Sequence, residues 1–144
     1  MIYISRNVKE TQKIAAGLAK KIIKSQLNET VVIALEGELG AGKTVFVKAL
    51  AKALDIKEKI KSPTFVLIKK YIIPKTGNYL YHLDCYRLRD EKDLINLDIN
   101  NILSDSRNIV CIEWSDRIKK IVSKKHMKVH IDHVSETERK ITIS

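Results

Sequence analysis

Two hydrophobic periods divide the chain. Where apolar side chains recur every three or four residues, as at Ile14, Leu18 and Ile22 or at Val47, Leu50 and Leu54, one stripe of a helix faces a core. Where they run without interruption, as in Val31-Val32-Ile33-Ala34-Leu35, the segment suits a strand buried on both faces. A short strand at Ile2–Ile4 leads to a helix that starts after Asn7 and runs to about Ser25; Asn7 and Glu10, three residues on, have capping-box-like spacing. The buried strand at 31–35 follows, then a helix from Thr44 to Leu54, then a lysine-rich connection ending at Ser62-Pro63-Thr64. Phe65–Ile73 and Tyr79–Asp84 read as strands joined by Pro74-Lys75-Thr76-Gly77-Asn78, a five-residue turn suited to a hairpin. Asp90 to about Leu103 predicts a helix, Asn108–Ile112 a second buried strand, Asp116–Val122 a short helix, and Lys128–Asp132 with Lys140–Ile143 a closing strand pair. This order implies an α/β sandwich with a mixed central sheet. No repeat, low-complexity tract or linker interrupts residues 1–144, which read as a single domain long enough to bury roughly two thirds of its unfolded surface.

Between the first buried strand and its helix lies Gly37-Glu38-Leu39-Gly40-Ala41-Gly42-Lys43-Thr44, which fills every required position of the phosphate-binding loop pattern G-x-x-x-x-G-K-[ST]. The chemistry needs each residue. Glycines let successive backbone N–H groups turn inward on phosphates, Lys43 carries a point charge to the outer phosphates, and the Thr44 hydroxyl ligates Mg²⁺. A chance turn is the competing explanation, but three of the five glycines lie inside this octapeptide, and strand, loop and helix come in the required order. The fold expected is therefore a P-loop NTPase three-layer sandwich whose mixed sheet includes an antiparallel hairpin.

Such a loop needs an acid at the end of a buried strand to hold Mg²⁺ and water. Ile109-Val110-Cys111-Ile112-Glu113 and Leu80-Tyr81-His82-Leu83-Asp84 compete for that role. The pattern favours Glu113 for the metal and leaves Asp84 to orient water or support a ligand; otherwise Glu113 is an exposed strand-end acid and Asp84 a turn or cap residue before Arg87. Ser62-Pro63-Thr64 follows the loop helix where nucleotide switches place a γ-phosphate-sensing Thr, although a turn that starts a strand is the plainer reading. Trp114, the only tryptophan, either caps the core or lies over bound nucleotide. His82 reads as a packed, hydrogen-bonded histidine, and Arg87 and Arg89 as either phosphate contacts or partners of Asp90, Glu91 or Asp93.

The net charge of +10 raises nucleic acid as a partner, but Lys outnumbers Arg 21 to 6 across the whole chain, unlike an Arg-rich reading surface. The densest basic stretch, Arg117 through Lys119, Lys120, Lys124, Lys125 and Lys128, is either a solvated face or an RNA or acidic-protein contact. No apolar run approaches the roughly 18 residues that cross a bilayer, so no membrane association and a cytoplasmic location are expected. Cys85 and Cys111 lie beside apolar strands without metal-ligand spacing and are expected as buried free thiols.

Gly37–Thr44, then Ser62-Pro63-Thr64-Phe65, then His82-Leu83-Asp84-Cys85-Tyr86-Arg87-Leu88, then Ile112-Glu113-Trp114 resemble the ordered motif set of the TsaE family. Those are small bacterial P-loop ATPases that help make threonylcarbamoyladenosine in tRNA. Glu10-Thr11 and Arg139 match family positions too, so the resemblance covers nearly the whole chain. It implies ATP and Mg²⁺ as cofactors, with Glu38, Leu39, Gly40, Ala41, Gly42, Lys43 and Thr44 around the phosphates and Thr11, Trp114 and Arg139 completing the nucleotide site. It also implies that Thr44 and Glu113 hold Mg²⁺, that Lys43, Asp84, Glu113 and Thr64 carry hydrolysis, and that TsaD and TsaB are partners with tRNA contacted indirectly or weakly. The absence of an Asn-Lys-x-Asp motif tilts the base towards adenine. Two alternatives stand beside this: a small-molecule kinase, which would need an added metabolite to accept phosphate, and a non-hydrolysing nucleotide switch or RNA-binding module, which would bind without turnover.

Overall fold

A computed structural model describes residues 1–24, 29–38, 40–61, 68–89, 92–95, 97–122 and 125–144, the Arg117 side chain excepted. In chain order the elements are strand β1 (Ile2–Ser5), helix α1 (Val8–Lys24), β2 (Val31–Glu36), α2 (Lys43–Ala53), β3 (Ile68–Ile72), β4 (Tyr79–Asp84), α3 (Lys92–Ile95), α4 (Ile99–Ser104), β5 (Asn108–Glu113), a 3₁₀ turn (Ser115–Ile118), β6 (Met127–His133) and β7 (Arg139–Ile143). The start of α1 is capped as its sequence suggests. Asn7 Oδ1 accepts the Glu10 N–H at 2.9 Å, and Glu10 Oε2 accepts the Arg6 N–H at 2.6 Å.

All seven strands join one sheet in the order β1-β7-β6-β2-β5-β4-β3. β6, β2, β5 and β4 run parallel, while β3 and the β1–β7–β6 edge pair antiparallel. The closing strand pair is thus extended by β1, which pairs with β7. The central strands alternate their burial between two cores. Ile33 and Leu35 of β2 and Cys111 of β5 pack with Leu18, Phe46 and Leu50 beneath α1 and α2, whereas Val32, Val110 and Ile112 pack with Leu94, Ile99 and Ile118 on the opposite face. Helical segments therefore cover both faces of this mixed α/β sheet, and its uninterrupted apolar runs are explained by burial on two sides.

Two helix expectations need correction. The helix expected from Asp90 to Leu103 is broken into α3 and α4, since Leu97 N–H closes on Leu94 O at 3.0 Å, Asp98 N–H closes on Ile95 O at 3.1 Å, and Asp98 turns left-handed at φ 63°. In an unbroken helix Leu94 and Ile99 would point roughly 140° apart. The break lets both bury against the same sheet face. The helix expected over 116–122 is only the 3₁₀ turn, after which Ile121 and Val122 N–H both bond to Ile118 O. A single turn suffices there to bury Ile118 completely. The early part of the expected 65–73 strand, and Thr64 before it, lie outside the described residues; β3 begins at Ile68. Among the described residues no helix is long and apolar enough to cross a membrane.

Candidate functional site

The parallel register delivers three acid-bearing strand ends to one edge of the sheet. Leu35 of β2 sits opposite Glu113 of β5, and Glu113 sits opposite Asp84 of β4, at the carboxyl end where open α/β sheets place their ligand crevice. β2 runs directly into the glycine-rich loop. Gly37 adopts φ 144°, and a Cβ there would collide with the carbonyl oxygen of Ile131 on the neighbouring β6, so no larger residue fits. Gly42, at φ 106° and ψ 21°, is the left-handed N-cap that lets the loop turn into α2. The first amides of α2 have no intrahelical acceptor, the general condition under which a helix N-terminus can take an anion.

Lys43 bends back over its own loop. Its Nζ donates to Gly37 O at 2.6 Å and Glu38 O at 2.8 Å and lies 4.3 Å from the centre of the Trp114 ring. Burial holds the ammonium's pKa below its ordinary value, an effect that the charges of Glu113, Asp84 and Asp116 only partly offset. Trp114 itself adopts φ 59° and stacks obliquely on Tyr86, with ring centres 5.0 Å apart.

The Thr44 hydroxyl donates towards Glu113, 3.1 Å from Oε1 and 3.2 Å from Oε2. Glu113 is buried, which removes the reading of an exposed strand-end acid. Its Oε2 also meets His82 Nε2 in a very short contact. Asp84 is half-buried and uses Oδ1 to accept the Tyr86 N–H at 3.0 Å, a turn bond, while lining the same cleft. That cleft, about 530 Å³, is bounded by Gly40, Gly42, Lys43, Asp84, Glu113 and Trp114, with Tyr86 and Arg87 at its side.

Other expected site residues fall around it. Arg139 does not line the cleft; its Nε donates to Ala41 O at 3.0 Å, and another guanidinium nitrogen donates to Ser135 O and Glu138 O, so it ties the loop to the β6–β7 turn. Thr11 is buried beneath, 2.7 Å from Ser5 Oγ, and Ser5 is the register partner of Arg139. Glu38 lines a second recess with Glu36, Asp116, Lys128 and His130. Leu39 and Thr64 lie outside the described residues. Within the basic stretch, Lys125 pairs with Glu29 and Lys128 with Glu36. Both cysteines are buried and neither is in a disulfide, and burial, reinforced by Glu113, pushes the Cys111 thiol far up, as for a structural rather than a reactive thiol. The sequence pattern named His82 as packed and hydrogen-bonded without naming its partner, and gave Tyr86 no role; each becomes visible only when β4 is set beside β5.

Comparison with known proteins points one way. The family model described as "Threonylcarbamoyl adenosine biosynthesis protein TsaE" matches residues 5–141. A tRNA threonylcarbamoyladenosine biosynthesis protein TsaE of Bacillus subtilis is 33% identical over 141 residues, covering 96% of this chain and 81% of the relative. The protein of that name from Treponema pallidum is 31% identical, with 98% of each chain covered. The crystal structure of Bacillus subtilis YdiB superimposes with a TM-score of 0.72 at 27% identity, over 99% of this chain and 83% of that one.

Proposed function

The chain belongs to the TsaE family of threonylcarbamoyl adenosine biosynthesis proteins, and from that premise we propose that it is a Mg²⁺-dependent P-loop ATPase. Its hydrolysis supports threonylcarbamoyladenosine modification of tRNA by resetting an assembly of TsaD and TsaB in the cytoplasm. The observation that carries this reading is the meeting of Thr44 and Glu113, a hydroxyl and a buried carboxylate, beside a loop that fills the whole phosphate-binding pattern. The donor set suits magnesium, a hard cation bound through oxygen ligands, one or two carboxylates and substrate phosphates. Thr44 and Glu113 would hold it, and when bound it supplies positive charge against the developing charge on the phosphoryl oxygens.

The chain's own residues account for the rest. Lys43 exchanges two loop carbonyls for the outer phosphate oxygens, a stronger charge-assisted contact. The loop amides and the first turn of α2 hold the remaining phosphate oxygens. Asp84, one strand away from Glu113, orients the attacking water, and Trp114 walls the cleft against solvent. Thr11 and Arg139 complete the nucleotide site, Arg139 while holding the loop at Ala41 O, and Thr64 senses the terminal phosphate. Contact with tRNA is indirect or weak, since scattered lysines release counterions without reading bases.

Phosphate release from ATP and Mg²⁺, with and without TsaD and TsaB and with no added metabolite, tests the reading. Free phosphate that increases with the partners is expected; phosphate appearing only on an added small molecule would make the protein a kinase, and binding without turnover would make it a switch.

A further inference from the structure

Glu113 is gripped from two sides, and only one of them belongs to the phosphate loop. Thr44 shares its single hydroxyl hydrogen between the two carboxylate oxygens, while His82 reaches Oε2 from β4. His82 is opposite Cys111 in the β4–β5 register and Asp84 is opposite Glu113, so the histidine and the glutamate are diagonal neighbours across two parallel strands. His82 is completely buried. Because a carboxylate only accepts, Nε2 carries the hydrogen of this contact. Nδ1 has no hydrogen-bond partner among the described residues, so Glu113 is the one group there that accounts for an imidazole at this position rather than an aliphatic side chain.

Resting on the proposed Mg²⁺ role of Glu113, we propose that His82 is a positioning residue: its Nε2–H locks the Glu113 carboxylate in the orientation that meets Thr44. The terminal torsion of a glutamate is broad and weakly restrained, so one shared hydroxyl hydrogen leaves the carboxylate free to swing. A second donor on Oε2 fixes its plane and stabilises a charge that burial would otherwise penalise. His82 touches neither nucleotide nor metal in this account. Its effect is to keep a metal-binding oxygen aimed into the cleft, as outer-shell partners of metal ligands do.

Trp114 is the only tryptophan and lines the cleft, so its fluorescence reports ADP binding without turnover. ADP is titrated in chelator, and Mg²⁺ is then titrated at fixed ADP, in the parental protein, His82→Asn and His82→Gln. Asn cannot reach Glu113; Gln places an amide N–H about where Nε2 sits. The Mg²⁺ concentration at half-saturation should rise about 10- to 100-fold in His82→Asn with metal-free ADP binding unchanged. His82→Gln should return it to near the parental value. An unchanged Mg²⁺ requirement in His82→Asn, equal losses in both variants, or a matching loss of metal-free binding would each overturn the positioning role. Imidazole ¹⁵N spectra of the unmutated protein give a readout independent of any variant: a protonated Nε2 with a bare Nδ1 is expected, and the opposite tautomer would overturn the proposal. Parental ADP binding that ignores Mg²⁺ would instead overturn the functional reading, and the inference with it.

Discussion

The two ends of the parallel strands are built on opposite electrostatic terms. At the amino end, the Asp105 carboxylate accepts from the Arg107 guanidinium at 2.9 and 3.1 Å and from the Arg107 backbone N–H at 3.0 Å, in an exposed turn. Thr30 caps the Asp105 carbonyl at 2.7 Å, and Asn108 donates to Ile102 O at 2.9 Å. Charges there are near water and close to their partners. At the carboxyl end, Lys43, His82 and Glu113 are all buried, Trp114 is left-handed, and Lys43 settles for backbone carbonyls. One end closes a sheet; the other gathers ionisable side chains where they are buried. A buried lysine with a lowered pKa beside a cleft, as Lys43 is, marks a candidate functional site.

The contrast breaks most visibly at Lys43. Lys43→Ala should lower ATP turnover by about a hundredfold or more, the scale for losing one preorganised charge-stabilising group. Its thermal midpoint should stay near the parental value, because the lost bonds are to loop carbonyls that water can reach in the open cleft. Parental turnover at saturating Mg²⁺ would remove the loop from the chemistry.

A smaller effect separates the two acids. Glu113→Gln should raise the Mg²⁺ needed for nucleotide binding, since a charged oxygen ligand of a hard cation is lost. Asp84→Asn should leave that requirement near parental while hydrolysis falls. Titrations of binding and of turnover against Mg²⁺ would swap the roles if Asp84 controlled the metal and Glu113 only the rate.

Backbone fit comes next. Gly37→Ala forces a methyl against the Ile131 carbonyl and should destabilise the fold by about 1–3 kcal/mol, as overpacking does. Chemical denaturation measures it, and an unchanged midpoint would mean that β2 and β6 approach less closely than described.

The amino end should respond least, and only to acid. Arg107 holds the Asp105 carboxyl at about 2, below its ordinary 3.8, mainly through their side-chain hydrogen bond. A depressed folded-state pKa gives stability that is present above the ordinary value and lost as pH falls towards about 2. Asp105→Asn should therefore flatten the stability profile slightly in that window and leave nucleotide binding and hydrolysis unchanged. The pair is exposed, so the effect is small. A comparable loss at neutral pH in hydrolysis would abolish the distinction between the two ends.

Parts of the fold could be read in the chain beforehand, for identifiable reasons. Val31–Leu35 and Ile109–Ile112 carry continuous apolar runs because both faces of those strands are buried, so β2 and β5 were legible to within a residue. The turn between β2 and α2 was legible because Gly37, Gly40 and Gly42 mark it, each at a positive φ. Strand order was not. Nothing between His82 and Glu113 in sequence states that β4 lies against β5, so the pairing of those two side chains waited on the register. The helix expected from Asp90 to Leu103 failed for the converse reason: its periodicity ignored that Leu94 and Ile99 must reach the same core, which required the break at Asp98. Arg139 was legible as a position and not as a contact, because its bond to Ala41 O bridges 98 residues of sequence.

The most direct test of the central claim, that the carboxyl-end site hydrolyses ATP to sustain tRNA modification, is a multiple-turnover threonylcarbamoyladenosine assay. TsaD and TsaB are combined with substrate tRNA in excess and with this protein present, absent or carrying Lys43→Ala. Repeated cycles are expected only with the unmutated protein, and at most a single round in the other two reactions. Equal modified tRNA in all three would contradict it.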